Sequence, residues 1–117
     1  MRHKVNKLYL GLPRGQRQLM VKNLATSLIL HEKIQTTKAK AKALQQFMEK
    51  LVNSAKQSDK KIAIRSVRTF LQNNESSKKL VDELAKKYQD KASGFTRITN
   101  VGFRAGDAAL LVQIELV

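Results

Sequence analysis

Residues 36–55 read TTKAKAKALQQFMEKLVNSA, and their spacing decides the fold. Ala41, Leu44, Met48, Leu51 and Ala55 step by three, four, three and four positions, which places all five on one face of an α-helix. Phe47 and Val52 widen that stripe, and Thr36 or Thr37 stands where a helix takes its N-cap. Lys38 and Lys42, one turn apart, fall on the opposite side, while Lys40 lies near the apolar edge, where its stem can snorkel. A helix with one apolar face needs a layer to pack against. Residues 108–117, AALLVQIELV, offer it: Leu110, Val112, Ile114 and Leu116 alternate with Leu111, Gln113 and Glu115, as in a sheet covered by helices on one side.

Outward from these two segments the chain fills in. Gln16 to Leu30 carries Met20, Val21, Leu24, Ala25 and Leu28 at helical spacing, and Lys33-Ile34-Gln35-Thr36 is a short strand. A third helix runs from Asp59, capped by Ser58, to Leu71, with Ala63, Val67 and Phe70 on one face and Lys61, Arg65 and Arg68 on another. Asn73 to Ser76 is a break, after which Ser76 or Ser77 caps a fourth helix through Tyr88, with Leu80, Val81, Leu84 and Tyr88 inward. Its outer surface offers the opposite-sign i, i+4 pairs Lys79/Glu83, Asp82/Lys86 and Glu83/Lys87. Phe95–Val101 and Ala108–Val117 then form two strands around a glycine-bounded loop, Gly102 to Asp107, with Phe95 in the core. The expectation is an α+β fold, a two-layer α/β domain in the order helix, strand, three helices, two strands, with the helices on one face of a small sheet. Residues 1–15 form a basic N-terminal arm and residues 16–117 the single domain.

Charge narrows the function. The chain has 117 residues, 23 Lys+Arg against 9 Asp+Glu, a net charge of +14 and no cysteine. That balance predicts a polyanionic partner and excludes disulfides and Cys-based zinc sites. Hydrophobic residues make up 42%, too many for a disordered basic tail. No apolar run reaches the length of a membrane span, and Arg14, Arg17 and Lys22 interrupt the only place for a signal-peptide core. The first acidic residue is Glu32, so Arg2, Lys4, Lys7, Arg14, Arg17 and Lys22 precede it without any carboxylate to offset them. Each can neutralise a phosphate, and Tyr9 among them can stack on a base. Lys61, Arg65 and Arg68 are a second candidate surface, and Arg97 and Arg104, flanking the hairpin tip, a third. Gly11 to Gly15, before the first helix, is a weak phosphate-loop arrangement that a plain turn explains equally well.

Catalysis finds no footing. Asp82 and Glu83 are adjacent on a helix and face apart, Ser27, Thr36 and Thr37 have no partner base in view, and His3 and His31 cannot build a metal site alone. The chain reads as a non-enzyme without cofactor or metal.

Several strings, taken together, resemble the L-seventeen family of bacterial large-subunit ribosomal proteins over nearly the full length. They are Met1-Arg2-His3-Lys4, Lys22 to Leu28, His31 to Thr37 with Ala39-Lys40-Ala41-Lys42, Gly94 to Ile98, Arg104 to Ala109, and Ile114-Glu115-Leu116-Val117. The chain departs from the family pattern at Gln16, Phe103 and Ala105. The resemblance implies a structural component of the large ribosomal subunit, cytoplasmic, bound to large-subunit rRNA beside other ribosomal proteins near the nascent-chain exit. It carries Arg2, His3, Lys4, Arg14, Arg17 and Lys22 over as the basic N-terminal motif, and Arg97 and Arg104 as the C-terminal one; Lys38 and Lys42 join the set of candidate rRNA-binding residues. Because the family's opening string begins at Met1, no upstream targeting segment is expected. The rival readings are a nucleoid-type DNA-architectural protein and, more remotely, a small nuclease.

Overall fold

The computed structural model describes residues 14–57, 59–71 and 73–117. The expected element order is present: α1 (Arg14–His31), β1 (Lys33–Thr37), α2 (Lys38–Ala55), α3 (Lys60–Phe70), a fourth helix α4 beginning at Asn74–Lys79, then β2 (Thr96–Phe103) and β3 (Leu110–Leu116). Arg14, the first described residue, is already helical, so Arg14 and Gly15 belong to α1. The expected arm up to Pro13 lies outside the described residues.

Every position of the α2 stripe is buried: Ala41, Leu44, Met48, Leu51 and Ala55, with Val52 beside them. The sheet they face is antiparallel in the order β1-β3-β2, which makes β3 the central strand although it is last in the chain. Register aligns Ile34, Ile114 and Ile98 in one row across the three strands, on the face that carries Val112 and Leu116 into the core. One residue further on, the row Lys33, Glu115 and Arg97 lies on the opposite, solvent-facing side. Helices therefore cover one face and leave the other polar.

α1 contributes Val21, Ala25, Leu28 and Ile29 to the core. It ends where Glu32 adopts a left-handed backbone, φ 67°, the conformation that stops a helix and turns the chain into β1. The Glu32 carbonyl then accepts from Leu116 N–H (2.9 Å), and its carboxylate meets Lys79 Nζ at 3.8 Å. Tyr88 fastens the other end of the same region: its hydroxyl donates to the Val117 carbonyl (2.8 Å), and its ring packs on Phe95, 5.2 Å between centroids. Burial first and the Glu32 charge second hold that phenol in its neutral form by raising its pKa.

Local details correct the expectations. Thr37 occupies the N-cap position of α2, yet its side chain makes no capping hydrogen bond. α3 is capped by Asp59, which accepts from Lys61 N–H (2.9 Å); Ser58, the expected cap, lies outside the described residues. Asn73 caps α4 by accepting from Ser76 N–H (2.9 Å), so the expected break is shorter and the helix starts before Ser76 and Ser77. Both serines are instead buried in the first turn, donating to the Asn73 carbonyl at 3.1 and 2.9 Å.

α4 passes through a π-turn, Leu80–Leu84, where Ala85 N–H reaches back to the Leu80 carbonyl, and closes with Ala85–Lys87. The extra residue in the turn rotates the surface downstream of it. Asp82, within the turn, pairs with Lys60 of α3 (3.0 Å), and Lys79, ahead of it, pairs with Glu32; among the described residues these stand in place of the expected i, i+4 pairs along the helix. Leu80, Val81, Leu84 and Tyr88 remain buried, and the turn brings Ala85 in as well.

β2 extends through Gly102 and Phe103, past the expected strand end, and a bulge between Asn100 and Gly102 shifts its register against β3. The remaining tip is closed by its own bonds. Arg104 N–H donates to the Ala109 carbonyl (2.8 Å) and Ala108 N–H to the Arg104 carbonyl (2.9 Å). Asp107 accepts from both arms of the Arg104 guanidinium, Nε at 2.9 Å, and from Ala109 N–H at 3.2 Å.

Two outcomes are expected. Leu44→Ala, which opens a void at the fully buried centre of the stripe, should lower unfolding free energy by about 2–5 kcal/mol in a urea titration. The bonds from Arg104 and from Ala109 N–H hold the Asp107 carboxyl down, from 3.8 to about 2. Because that pKa is depressed, the tip's order is fully present above 3.8 and is lost as pH falls toward about 2. The Ala109 amide resonance, followed by NMR through that window, should move with Asp107 and stay still in Asp107→Asn.

Candidate nucleic-acid interface

Basic side chains gather at helix starts. The first turns of α2 and α3 hold no acidic residue, whereas Lys38 and Lys40, and Lys60 and Lys61, stand at or beside them; on α3 the Asp59 cap and the Lys60–Asp82 pair already answer part of that charge. A helix N-terminus already carries about half a positive charge, so cations there are electrostatically misplaced unless an anion joins them. The first turn of α2 is the plainest case, because its N–H groups receive no side-chain cap. A phosphate placed there would accept from free N–H donors and offset the lysines together.

The candidate residues divide among several surfaces. Arg2, His3, Lys4, Lys7 and Tyr9 lie outside the described residues. Arg14 is exposed on the first described turn of α1, with Arg17 and Lys22 half-buried further along the same helix. Lys38 and Lys42 are exposed on α2, and half-buried Lys40 fits the snorkelling geometry expected of it.

Lys61, Arg65 and Arg68 are all exposed on α3, and among the described residues none of the three forms an ion pair. Arg68 alone of them borders a groove of about 400 Å³ between α3 and α4, whose floor includes Ile64 and Val81 and whose rim includes Lys60 and Lys78.

Arg97 and Arg104 do not form one group. They sit at opposite ends of β2, roughly 20 Å apart by strand rise. Each also faces a carboxylate: Arg97 meets Glu115 across the strands at 3.6 Å, and Arg104 is engaged by Asp107. The hydrogen bond to Asp107, and then its charge, raise the Arg104 pKa further. The alternation that places Arg97 on the outer sheet face and the bulge that lengthens β2 separate what the linear order had joined.

Register instead brings the hairpin tip beside the start of α2. Thr37 and Gly102 both pair with Leu111 from opposite sides, two strand spacings or about 10 Å apart, and Lys38 follows Thr37 directly. Phe103, 74% exposed, stands at this end. Phe103 is not among the binding residues expected from the sequence, although an aromatic between Gly102 and Arg104 in a turn-forming stretch is the available signal.

Among the described residues no group of three or more His, Cys, Asp or Glu side chains could hold a metal ion, and no helix is long and apolar enough to cross a membrane.

Comparison with known proteins agrees with this geometry. Residues 20–117 match the family described as Ribosomal protein L17. The large ribosomal subunit protein bL17 of Sulfurimonas denitrificans is 44% identical over 117 residues, all of both chains. Its Helicobacter pylori counterpart is 45% identical over the same span. That of Desulfitobacterium hafniense is 47% identical over 108 residues, 92% of this chain and 96% of its own. With identity at this level running from end to end, and with the helix, strand and charge pattern in place, the chain belongs to the ribosomal protein L17 family.

Proposed function

We propose that the chain is a structural constituent of the large subunit of the cytoplasmic ribosome, binding and buttressing large-subunit rRNA and contacting ribosomal proteins near the nascent-chain exit. The observation that carries this reading is the end-to-end identity, 44% over all 117 residues, with a protein named for that subunit. The geometry supports it. Two surfaces, the α2 start and the α3 face of Lys61, Arg65 and Arg68, present cations that pair with no carboxylate among the described residues. At a net charge of +14 the folded chain repels itself, and RNA phosphates relieve that repulsion as they are bound.

On this reading Arg2, His3, Lys4, Lys7 and Tyr9 of the N-terminal segment, with Arg14, Arg17 and Lys22 of α1, form one RNA-contacting surface. Lys38 and Lys42 form a second and Lys61, Arg65 and Arg68 a third, while Arg97 and Arg104 reach RNA by exchanging or sharing their carboxylate partners. The protein's work is to hold RNA segments in place by matching fixed positive charge to phosphate, with no bond made or broken.

Sedimentation tests the assignment. The native protein should co-migrate with large subunits at low salt and be displaced by RNase; migration that ignores RNase, or follows DNA, refutes it. Mechanism is read from salt dependence. For binding to purified large-subunit rRNA, Arg2→Gln with Lys4→Gln, Lys38→Gln with Lys42→Gln, and Lys61→Gln with Arg65→Gln should each flatten the plot of log affinity against log salt. The expected change is roughly 0.7–0.9 per phosphate contact removed. A pair that leaves the slope unchanged faces solvent.

A further inference from the structure

We propose that Phe103 is a base-stacking platform, on which an unpaired nucleotide of the bound RNA lays its base while the lysines that open α2 hold its backbone. The inference rests on the RNA-binding reading above and deepens it by naming one contact and its chemistry.

The argument begins with exposure. Phe103 leaves 74% of its surface in water, more than Leu19, Ile62 or Val101, the other large apolar side chains exposed among the described residues. An apolar ring held in solvent calls for a partner, more so when the backbone beneath it is fixed. Here it is fixed on both sides. On one, the Arg104–Asp107 pair and the backbone bonds among Arg104, Ala108 and Ala109 close the tip. On the other, Gly102 takes φ 156°, which a side chain at that position would resist, and completes the bulge after Asn100.

The bulge also aims the ring. Strict alternation would set residue 103 with Arg97, Thr99 and Val101 on the outer sheet face. The extra residue instead pairs Phe103 with Leu110, whose side of β3 also carries Val112, Ile114 and Leu116. Phe103 thus belongs to the face on which the helices lie, at the end where α2 begins, with Lys38 next to the Thr37–Leu111–Gly102 row. Asp107, the nearby carboxylate, is already engaged by Arg104. An exposed ring at the same end of the sheet as the lysines that open α2, about 10 Å away by strand spacing, fits a stacked base whose backbone reaches those lysines. An apolar pocket on a protein neighbour would use the ring and leave the lysines unmatched.

Four chains decide the matter: native, Phe103→Ala, Phe103→Leu and Phe103→Tyr, each titrated against purified large-subunit rRNA. Because the side chain is exposed, all four should share one urea midpoint. Alanine and leucine should each weaken binding about 5- to 100-fold with the salt slope unchanged, and tyrosine should restore it. In parallel, at least one nucleotide shielded from 2′-hydroxyl acylation by the native chain should become reactive with alanine and be shielded again with tyrosine. Native-like binding by leucine would mean a non-stacking apolar contact and overturn the inference, as would native-like binding by alanine. If the native chain itself does not bind the RNA, the functional reading fails and this inference with it; if it binds and only the Phe103 series is flat, the inference alone fails.

Discussion

The apolar stripe of α2 packed on the inner face of β3 is the contact on which the rest of the structure depends. Leu44, Met48 and Leu51 are almost wholly buried, as is Ile114 across from them, and burial of such a side chain stabilises the fold by about 1.5–3 kcal/mol. β3 is the central strand because it pairs with both β1 and β2, and α2 packs against it. α1, α3 and α4 then add their own apolar edges around this pair, with Phe47 of α2 meeting Phe70 of α3 edge to face at 5.8 Å.

Charge is arranged around that core as if to be completed from outside. Among the described residues salt bridges are fewer than the cations, and they serve the fold: Lys79 to Glu32 joins α4 to the end of α1, Lys60 to Asp82 joins α3 to α4, Arg97 to Glu115 spans β2 and β3, and Arg104 to Asp107 closes the hairpin tip. The lysines at the start of α2 and the basic face of α3 have no such structural duty. In a protein of the L17 family, this division between cations that hold the fold and cations left over gives a physical basis for the proposed attachment to RNA.

Two small irregularities do much of the directing. The π-turn at Leu80–Leu84 inserts a residue ahead of buried Ala85 and Tyr88, and the bulge after Asn100 moves Phe103 to the other side of the sheet. Each adds one residue to a regular repeat. Each changes where later side chains point without disturbing the core on either side of it, and each escapes a reading that assumes unbroken periodicity.

The amino-acid order by itself determined the element sequence, the two-layer α+β class and nearly all of the core. Helical spacing in residues 36–55 and strict alternation in residues 110–116 are consequences of burying one face, and burial leaves its period in the chain. The resemblance to the ribosomal family was legible for the same reason, in strings spread along the whole length. Tertiary structure alone decided which caps are used, which carboxylate meets which cation, and which basic residues are neighbours. Asn73 displaced the expected Ser76 and Ser77 because a cap is chosen by backbone geometry that several adjacent side chains could serve. Arg97 and Arg104 parted, and Lys38 and Phe103 came together at one end of the sheet, because strand register sets distances between residues far apart in sequence, and register is fixed only when β1 and β2 both pair with β3.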